Sequence, residues 1–373
     1  MRMTGVGGLL VLGVVFAAPS SLRAQDLVRR PAQESARMPL TVRWGMQRPD
    51  LMRFNRVEGL SVGIRGQIRP RTRLGPLSLT ATGRLGYGDL EPNARLDIVS
   101  ETIERRLTFS VFRELAAVDE DARHLGLGNS LLAAIAGRDD GDYYRRSGVS
   151  LEWTPPQSER RDLRVRGFAE YQRGAASAID HALFKLGNDA FRFREGLVAD
   201  KGWLYGGQIE LTPWWGSDPN LVQGGLEFRA EAATGDFEYA RGMLVARLAV
   251  PLPADIHLGI EAGAGTSRGD VTMQRLWHVG GPSSLRGYDP RRLTGTSFGR
   301  ARGELARAFS FGALSLFSDV GWAGEYESYR FEDALYSAGA GLAIVDGLIR
   351  LDAAWGLRKP RTFRLDLYLD AIL

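Results

Sequence analysis

The sequence predicts an all-β transmembrane protein, a single antiparallel β-barrel of about 16 strands with one loop folded into its lumen. Three observations predict it. Apolar and polar residues alternate in long runs from about residue 57 to the last residue. No segment after the amino-terminal leader is apolar and long enough for a spanning helix of ~20 residues. A glycine-rich stretch carrying an arginine, His278 to Tyr288, interrupts the alternation late in the chain.

The amino terminus reads as an export signal. Arg2 supplies the positive region, Gly5 to Ala18 the apolar region, and Leu22-Arg23-Ala24 a small residue before a cut ahead of Gln25. Residues 1–24 are therefore expected to be a signal peptide. Residues 25–56 hold Arg, Pro and Gln with little periodicity and fall short of the ~50 residues a folded domain needs. They are read as an amino-terminal periplasmic tail or short plug, and 57–373 as the barrel.

Composition supports this division. Cysteine is absent, so a disulfide scaffold is excluded and the exported chain must be held by packing or by a hydrogen-bond ladder. The net charge of +4 comes from arginine, since only Lys185, Lys201 and Lys359 are lysines. Acidic residues are interleaved throughout and no aromatic-basic cluster stands out, so no nucleic acid is expected as a partner. Glycine is abundant at 46 residues, which suits strands that are only half apolar better than a helical membrane protein.

The strands follow from the period of two. In Leu77 to Tyr87, Leu77, Leu79, Ala81, Leu85 and Tyr87 share one face against Ser78, Thr80, Thr82 and Arg84. The same split gives segments near 57–69, 77–87, 93–101, 105–118, 147–155, 161–172, 202–213, 221–232, 240–250 and 255–266 before the arginine loop. Five more follow it, near 296–309, 312–324, 335–345, 348–358 and 362–373. Bacterial single-chain barrels have even strand numbers, and a long outer loop follows an odd-numbered strand, so one further strand is expected. The poorly patterned stretches 119–146 and 173–201 are its candidate locations, the second favoured because Ala190 to Val198 can extend. Ser130 to Ala136 reads as a helix capping one mouth. In the closing run, Phe363, Leu365, Leu367, Leu369, Ala371 and Leu373 share a face. That edge is expected to pair with the first strand, because an open edge of such length invites aggregation.

Residues 268–295 are too long for a tight turn and set Gly280, Gly281 and Gly287 around Arg286. With Leu285-Arg286-Gly287-Tyr288 followed by five strands, the chain resembles the Omp85 superfamily, the bacterial surface antigen (D15) barrels. The resemblance implies that the loop folds into the lumen and that its arginine pairs with acidic residues of the barrel wall. Alternation points Glu304 and Asp319 inward, and these are the expected partners. A bidentate contact explains arginine rather than lysine. Gly281, Gly287 and Tyr288 are expected to frame the packing. Phe317-Ser318-Asp319-Val320-Gly321 resembles the family's strand carrying the acidic partner, and Leu351-Asp352-Ala353-Ala354-Trp355-Gly356 its penultimate strand. Phe54-Asn55-Arg56-Val57-Glu58-Gly59-Leu60 is similar to barrel starts in related proteins. Two departures stand out: there is no room for periplasmic POTRA repeats, and the chain ends on Leu373 where an aromatic is common.

Catalysis is not expected. Gly59-Leu60-Ser61-Val62-Gly63 matches a nucleophile elbow by letters but lies inside a continuing strand. His124, His181, His257 and His278 show no metal spacing, with His278 read as a loop-packing residue. Asp139, Asp140 and Asp142 beside Tyr143-Tyr144 read as a solvated acidic turn. No cofactor or metal is expected. The resemblance implies insertion or translocation of polypeptide at the bacterial outer membrane, with outer-membrane lipid, client polypeptides and a periplasmic delivery protein as partners. The rival is a passive porin-like channel for small solutes.

Overall fold

A computed structural model describes residues 40–44, 51–72, 75–102, 104–155, 163–185, 190–218, 220–345 and 348–369. The expected signal peptide lies outside the described residues, as do residues 25–39 of the expected tail and the last four residues of the closing run. No helix is long and apolar enough to cross a membrane among the described residues.

The chain forms an antiparallel β-barrel whose strands follow one another in sequence order. The first strand, β1, comes in two pieces, Thr41–Trp44 and Met52–Asn55, that pair with the same neighbour. Then come β2 (Gly59–Ile68), β3 (Gly75–Gly86), β4 (Asn93–Glu101), β5 (Arg106–Ala117), β6 (Tyr143–Thr154), β7 (Leu163–Gly174) and β8 (Gly202–Leu211). They are followed by β9 (Gln223–Gly235), β10 (Tyr239–Leu252), β11 (Ile256–Gly269), β12 (Ser297–Phe309), β13 (Gly312–Gly324), β14 (Leu335–Ile344), β15 (Ile349–Gly356) and β16 (Phe363–Leu369). Each pairs antiparallel with the next, and the short pieces Arg71–Thr72 and Trp214–Trp215 add to β3 and β9.

The strand missing from the sequence count is β1, and this corrects two expectations. Residues 41–44 and 52–55 belong to the barrel rather than to a tail or plug, so the barrel begins before residue 57. Among the described residues the stretches 119–146 and 173–201 supply no extra strand; apart from the ends that belong to β6 and β7 they are the long loops after β5 and β7. With β1 included, the arginine loop follows the eleventh strand and five strands follow it, the parity a loop on the outer side requires. β1 escaped the pattern because its two four-residue pieces are each too short to show a period.

Pleating sorts the side chains onto two faces. On β13, Leu314 and Leu316 are 46% and 66% exposed on the outer face, while Ser315, Phe317 and Asp319 are buried on the inner one. The outer face is apolar, and aromatic pairs mark both of its borders. Trp203 lies 5.5 Å from Tyr171 and 6.2 Å from Tyr205 at one end, and Phe309 stacks 5.4 Å from Phe311 at the other. Such rings suit the headgroup region. The lumen carries the arginines and carboxylates, which bond across neighbouring strands: Arg247 holds Glu261 at 2.9 Å and Glu227 at 2.9 Å.

Ser130 to Ala136 is helical as expected, within an α-turn Leu127–Leu131 that continues into a π-helix Leu132–Ala136. This helix packs against the Met52–Asn55 piece of β1 and against β16. The expected pairing of the first strand with the last is not seen among the described residues.

Candidate functional site

The arginine loop, residues 270–296, reverses direction through a small hairpin, Trp277–Val279 with Leu293–Gly295, and a bridge between Gly281 and Leu285. Its tip turns in on itself. Gly281 N–H donates to Tyr288 O at 3.0 Å, and Ser284 Oγ accepts the Gly280 N–H at 2.8 Å. Leu285 and Tyr288, both fully buried, pack with Val279, Met243, Val245 and Phe298 as an apolar patch in an otherwise polar lumen. Tyr288 Oη lies 3.0 Å from the Arg358 carbonyl and 3.1 Å from the Tyr336 carbonyl, and it accepts the Arg358 N–H at 3.0 Å. His278 ties the hairpin through Thr294 Oγ1 at 2.9 Å, the loop-packing part expected of it.

This fold of the loop delivers Arg286 to the wall. Its Nε and Nη2 donate to the two Asp319 oxygens at 2.8 and 2.7 Å, a bidentate pair, and its backbone N–H adds a third bond at 3.1 Å. Nη1 donates to Glu304 at 2.8 Å and reaches Asp352 at 3.5 Å. The guanidinium carbon lies 3.5 Å from the centre of the Phe317 ring, which closes the remaining side. The two acids expected from alternation are thus brought together with Arg286. Register explains why: β12 and β13 pair Arg302 with Asp319 and Glu304 with Phe317, so acid, base and ring share one inward surface.

Three supporting residues were not singled out from the sequence. Asp352 is a third acid, although its strand was recognised. Arg350 bonds Glu304 at 2.7 Å and Asp352 at 2.8 Å, keeping those carboxylates oriented. Arg302 donates to the Ser283 and Pro282 carbonyls at 3.1 and 3.3 Å. The alternation that pointed Glu304 inward also points Arg302, Arg350 and Asp352 inward. A fourth, Arg275, carried no periodic signal because it ends a three-residue 3-10 turn, Met273–Arg275, too short to show a period. It is buried against Glu170 on β7 at 3.3 Å and Glu231 on β9 at 3.5 Å, a second anchor for the same loop.

Gly287 has φ of +84°, and a Cβ there would sit 3.0 Å from the backbone of Trp355 and Gly356 on β15. A strand backbone inside a ladder cannot yield as a side chain can. Gly287→Ala is therefore expected to cost about 1–3 kcal/mol of loop seating, visible as faster proteolytic cleavage within residues 270–296 while the barrel still runs as a folded species on a gel.

The start resemblance also acquires a structural reason. In the β1–β2 turn, Asn55 Oδ1 accepts the Val57 and Glu58 N–H groups at 3.0 and 2.8 Å. Glu58, fully buried, accepts from Arg53 at 2.7 and 2.9 Å and from Asn93 at 2.7 Å. Ser61 of the apparent nucleophile elbow lies within β2, as expected.

The acidic turn is not solvated, which corrects that expectation. Asp139, Asp140 and Asp142 are all buried within an arginine cluster. Burial would raise the Asp140 carboxyl, but Arg364 and Arg138 hold it below its ordinary range; Asp142 is likewise held down by Arg194, Arg291 and Arg56 against its burial.

No family model matches the chain, and no curated protein matches it. Solved structures do. BamA from Haemophilus ducreyi lacking POTRA domains 1–3 aligns with a TM-score of 0.56 at 13% identity, over 89% of this chain and 71% of that one. CdiB from Escherichia coli aligns with a TM-score of 0.48 at 14% identity, over 90% of this chain and 62% of that one. The first likeness shows a shared barrel fold.

Proposed function

We propose that this chain is an Omp85-type barrel of the bacterial outer membrane that inserts or translocates polypeptide. The observation that carries the reading is Arg286: a loop placed after the eleventh strand folds inward and its arginine takes three wall carboxylates, as the resemblance implies. The barrel fold shared with BamA supports it. Clients would be brought by a separate periplasmic protein. The proposed role is not enzymatic.

The test uses liposomes with and without the refolded protein. A urea-denatured eight-stranded barrel is added, and its assembly is followed by its shift to the compact, heat-modifiable form. Assembly is expected to be at least about tenfold faster with the protein present, a gain of ~1.4 kcal/mol in barrier. Equal rates, together with steady ohmic conductance of the protein alone in planar bilayers, would replace this reading with the porin-like channel.

A further inference from the structure

The first and last strands of this barrel share no ladder among the described residues, yet one short segment binds both the end of the first and the last. Residues 138–142 close the loop after β5. On one side the segment reaches Arg56, the residue directly after β1 in the turn to β2: Asp139 Oδ2 accepts the Arg56 backbone N–H at 2.8 Å, the Asp139 carbonyl accepts Arg56 Nη1 at 3.1 Å, and Asp142 takes Arg56 Nη2 at 3.3 Å. It reaches β16 on the other. Asp140 holds Arg364 Nη2 at 2.8 Å, and the Arg138 guanidinium donates both to the Asp366 carboxylate and to the backbone carbonyl of Leu365. Consecutive aspartates thus serve opposite edges.

The surroundings fix this segment in place. Arg194, from the loop after β7, donates to the Asp139, Asp140 and Gly141 carbonyls at 3.1, 2.8 and 2.9 Å and pairs with Asp142 at 3.0 Å. The preceding helix packs Ala133 with Ile179, Ala182 and Phe193, and Phe54 of β1 lies against that cluster. Arg364 bonds Asp289 of the arginine loop at 2.5 Å through its other nitrogen.

We propose that Arg138–Asp142 is a clasp, a lumen segment that ties the last strand to the turn at the end of the first and so sets whether the seam between the two edges is shut. Backbone groups at an open edge have few partners in a bilayer, so an edge must be satisfied by a neighbouring strand or by something in its place. A guanidinium on the Leu365 carbonyl is such a substitute. A ladder releases only by breaking a row of bonds, whereas a clasp releases by moving one loop. The inference stands whether the barrel handles polypeptide or solute.

Hydrogen exchange of the refolded full-length protein tests it, with Arg138→Ala and Asp140→Asn beside wild type and Arg138→Lys as the conservative control. Amides of 52–55 and 363–369 are expected to exchange about tenfold faster or more in the first two, because a buried charge loses its partner. Those of β10 and β11 should be unchanged, and Arg138→Lys should stay within about threefold of wild type. The clasp is overturned if the edge amides do not respond, or if all strands accelerate together. It is equally overturned if both Arg138→Ala and Asp140→Asn fail to assemble, since a clasp is dispensable to the ladder from β2 to β15. An edge-confined response in either variant that folds supports it.

Discussion

Arg286→Ala is expected to release the arginine loop and turn a nearly silent barrel into one that conducts in planar bilayers. Asp319 and Asp352 are each 1% exposed, so removing the guanidinium strands carboxylates that have almost no water to turn to. Breaking a buried pair by deleting one partner costs about 3–5 kcal/mol, and the lost contact with Phe317 adds to it. Arg302, 3.6 Å from Asp319, and Arg350 beside Asp352 recover part of this, which favours the lower end of the range. At about 3 kcal/mol the ratio of seated to released loop falls by roughly two orders of magnitude. Asp319→Asn should open the barrel less, because the amide oxygen still accepts one of the two bonds and Glu304 keeps Nη1. Arg286→Lys should fall between the two, since an ammonium reaches one acid but cannot hold Asp319 bidentately. Conductance equal to wild type in all three variants would show that Arg286 does not hold a plug.

The legibility of this chain followed the length over which a pattern repeats. Fifteen strands stood out because alternation over seven or more residues outweighs local noise, and the side-chain period of two then assigned Glu304 and Asp319 to the lumen without any coordinates. β1 did not, since Thr41–Trp44 and Met52–Asn55 are interrupted pieces whose identity is fixed by pairing with β2 rather than by their own residues. The total was still recoverable, because parity demanded a sixteenth strand; only its location was misjudged. The acidic turn shows the opposite failure. Asp-Asp-Gly-Asp has the composition of a solvated loop, and the arginines that bury it come from residues 56, 194, 291 and 364, contacts no local reading can assemble. Arg275 was missed for the same reason: its two acids lie on strands more than a hundred and about forty residues away in sequence, and its own backbone has no period.

The second large effect expected is that of Arg275→Ala, and its value lies in combination with Arg286→Ala. The two arginines grip different strands, Arg275 on β7 and β9 and Arg286 on β12, β13 and β15, so their direct contacts are independent. Arg275 is worth less, because its bonds are longer and Glu170 retains Arg166 at 3.8 Å and Arg146 at 4.0 Å when it is gone. A cost near 2–3 kcal/mol is expected, below the full penalty for an orphaned buried charge. Between the anchors, however, the hairpin Trp277–Val279 with Leu293–Gly295 and the packing of Val279 against Leu285 and Tyr288 make one solid piece. A loop that seats as one body has one seating equilibrium, so Arg275→Ala should raise the open fraction even though Arg286 keeps every partner. In the double variant the two free-energy losses should sum to within ~0.5 kcal/mol until opening saturates. If the halves seat separately, Arg275→Ala will loosen residues 270–276 to exchange or cleavage and leave conductance at the wild-type level, and only Arg286 will govern the lumen.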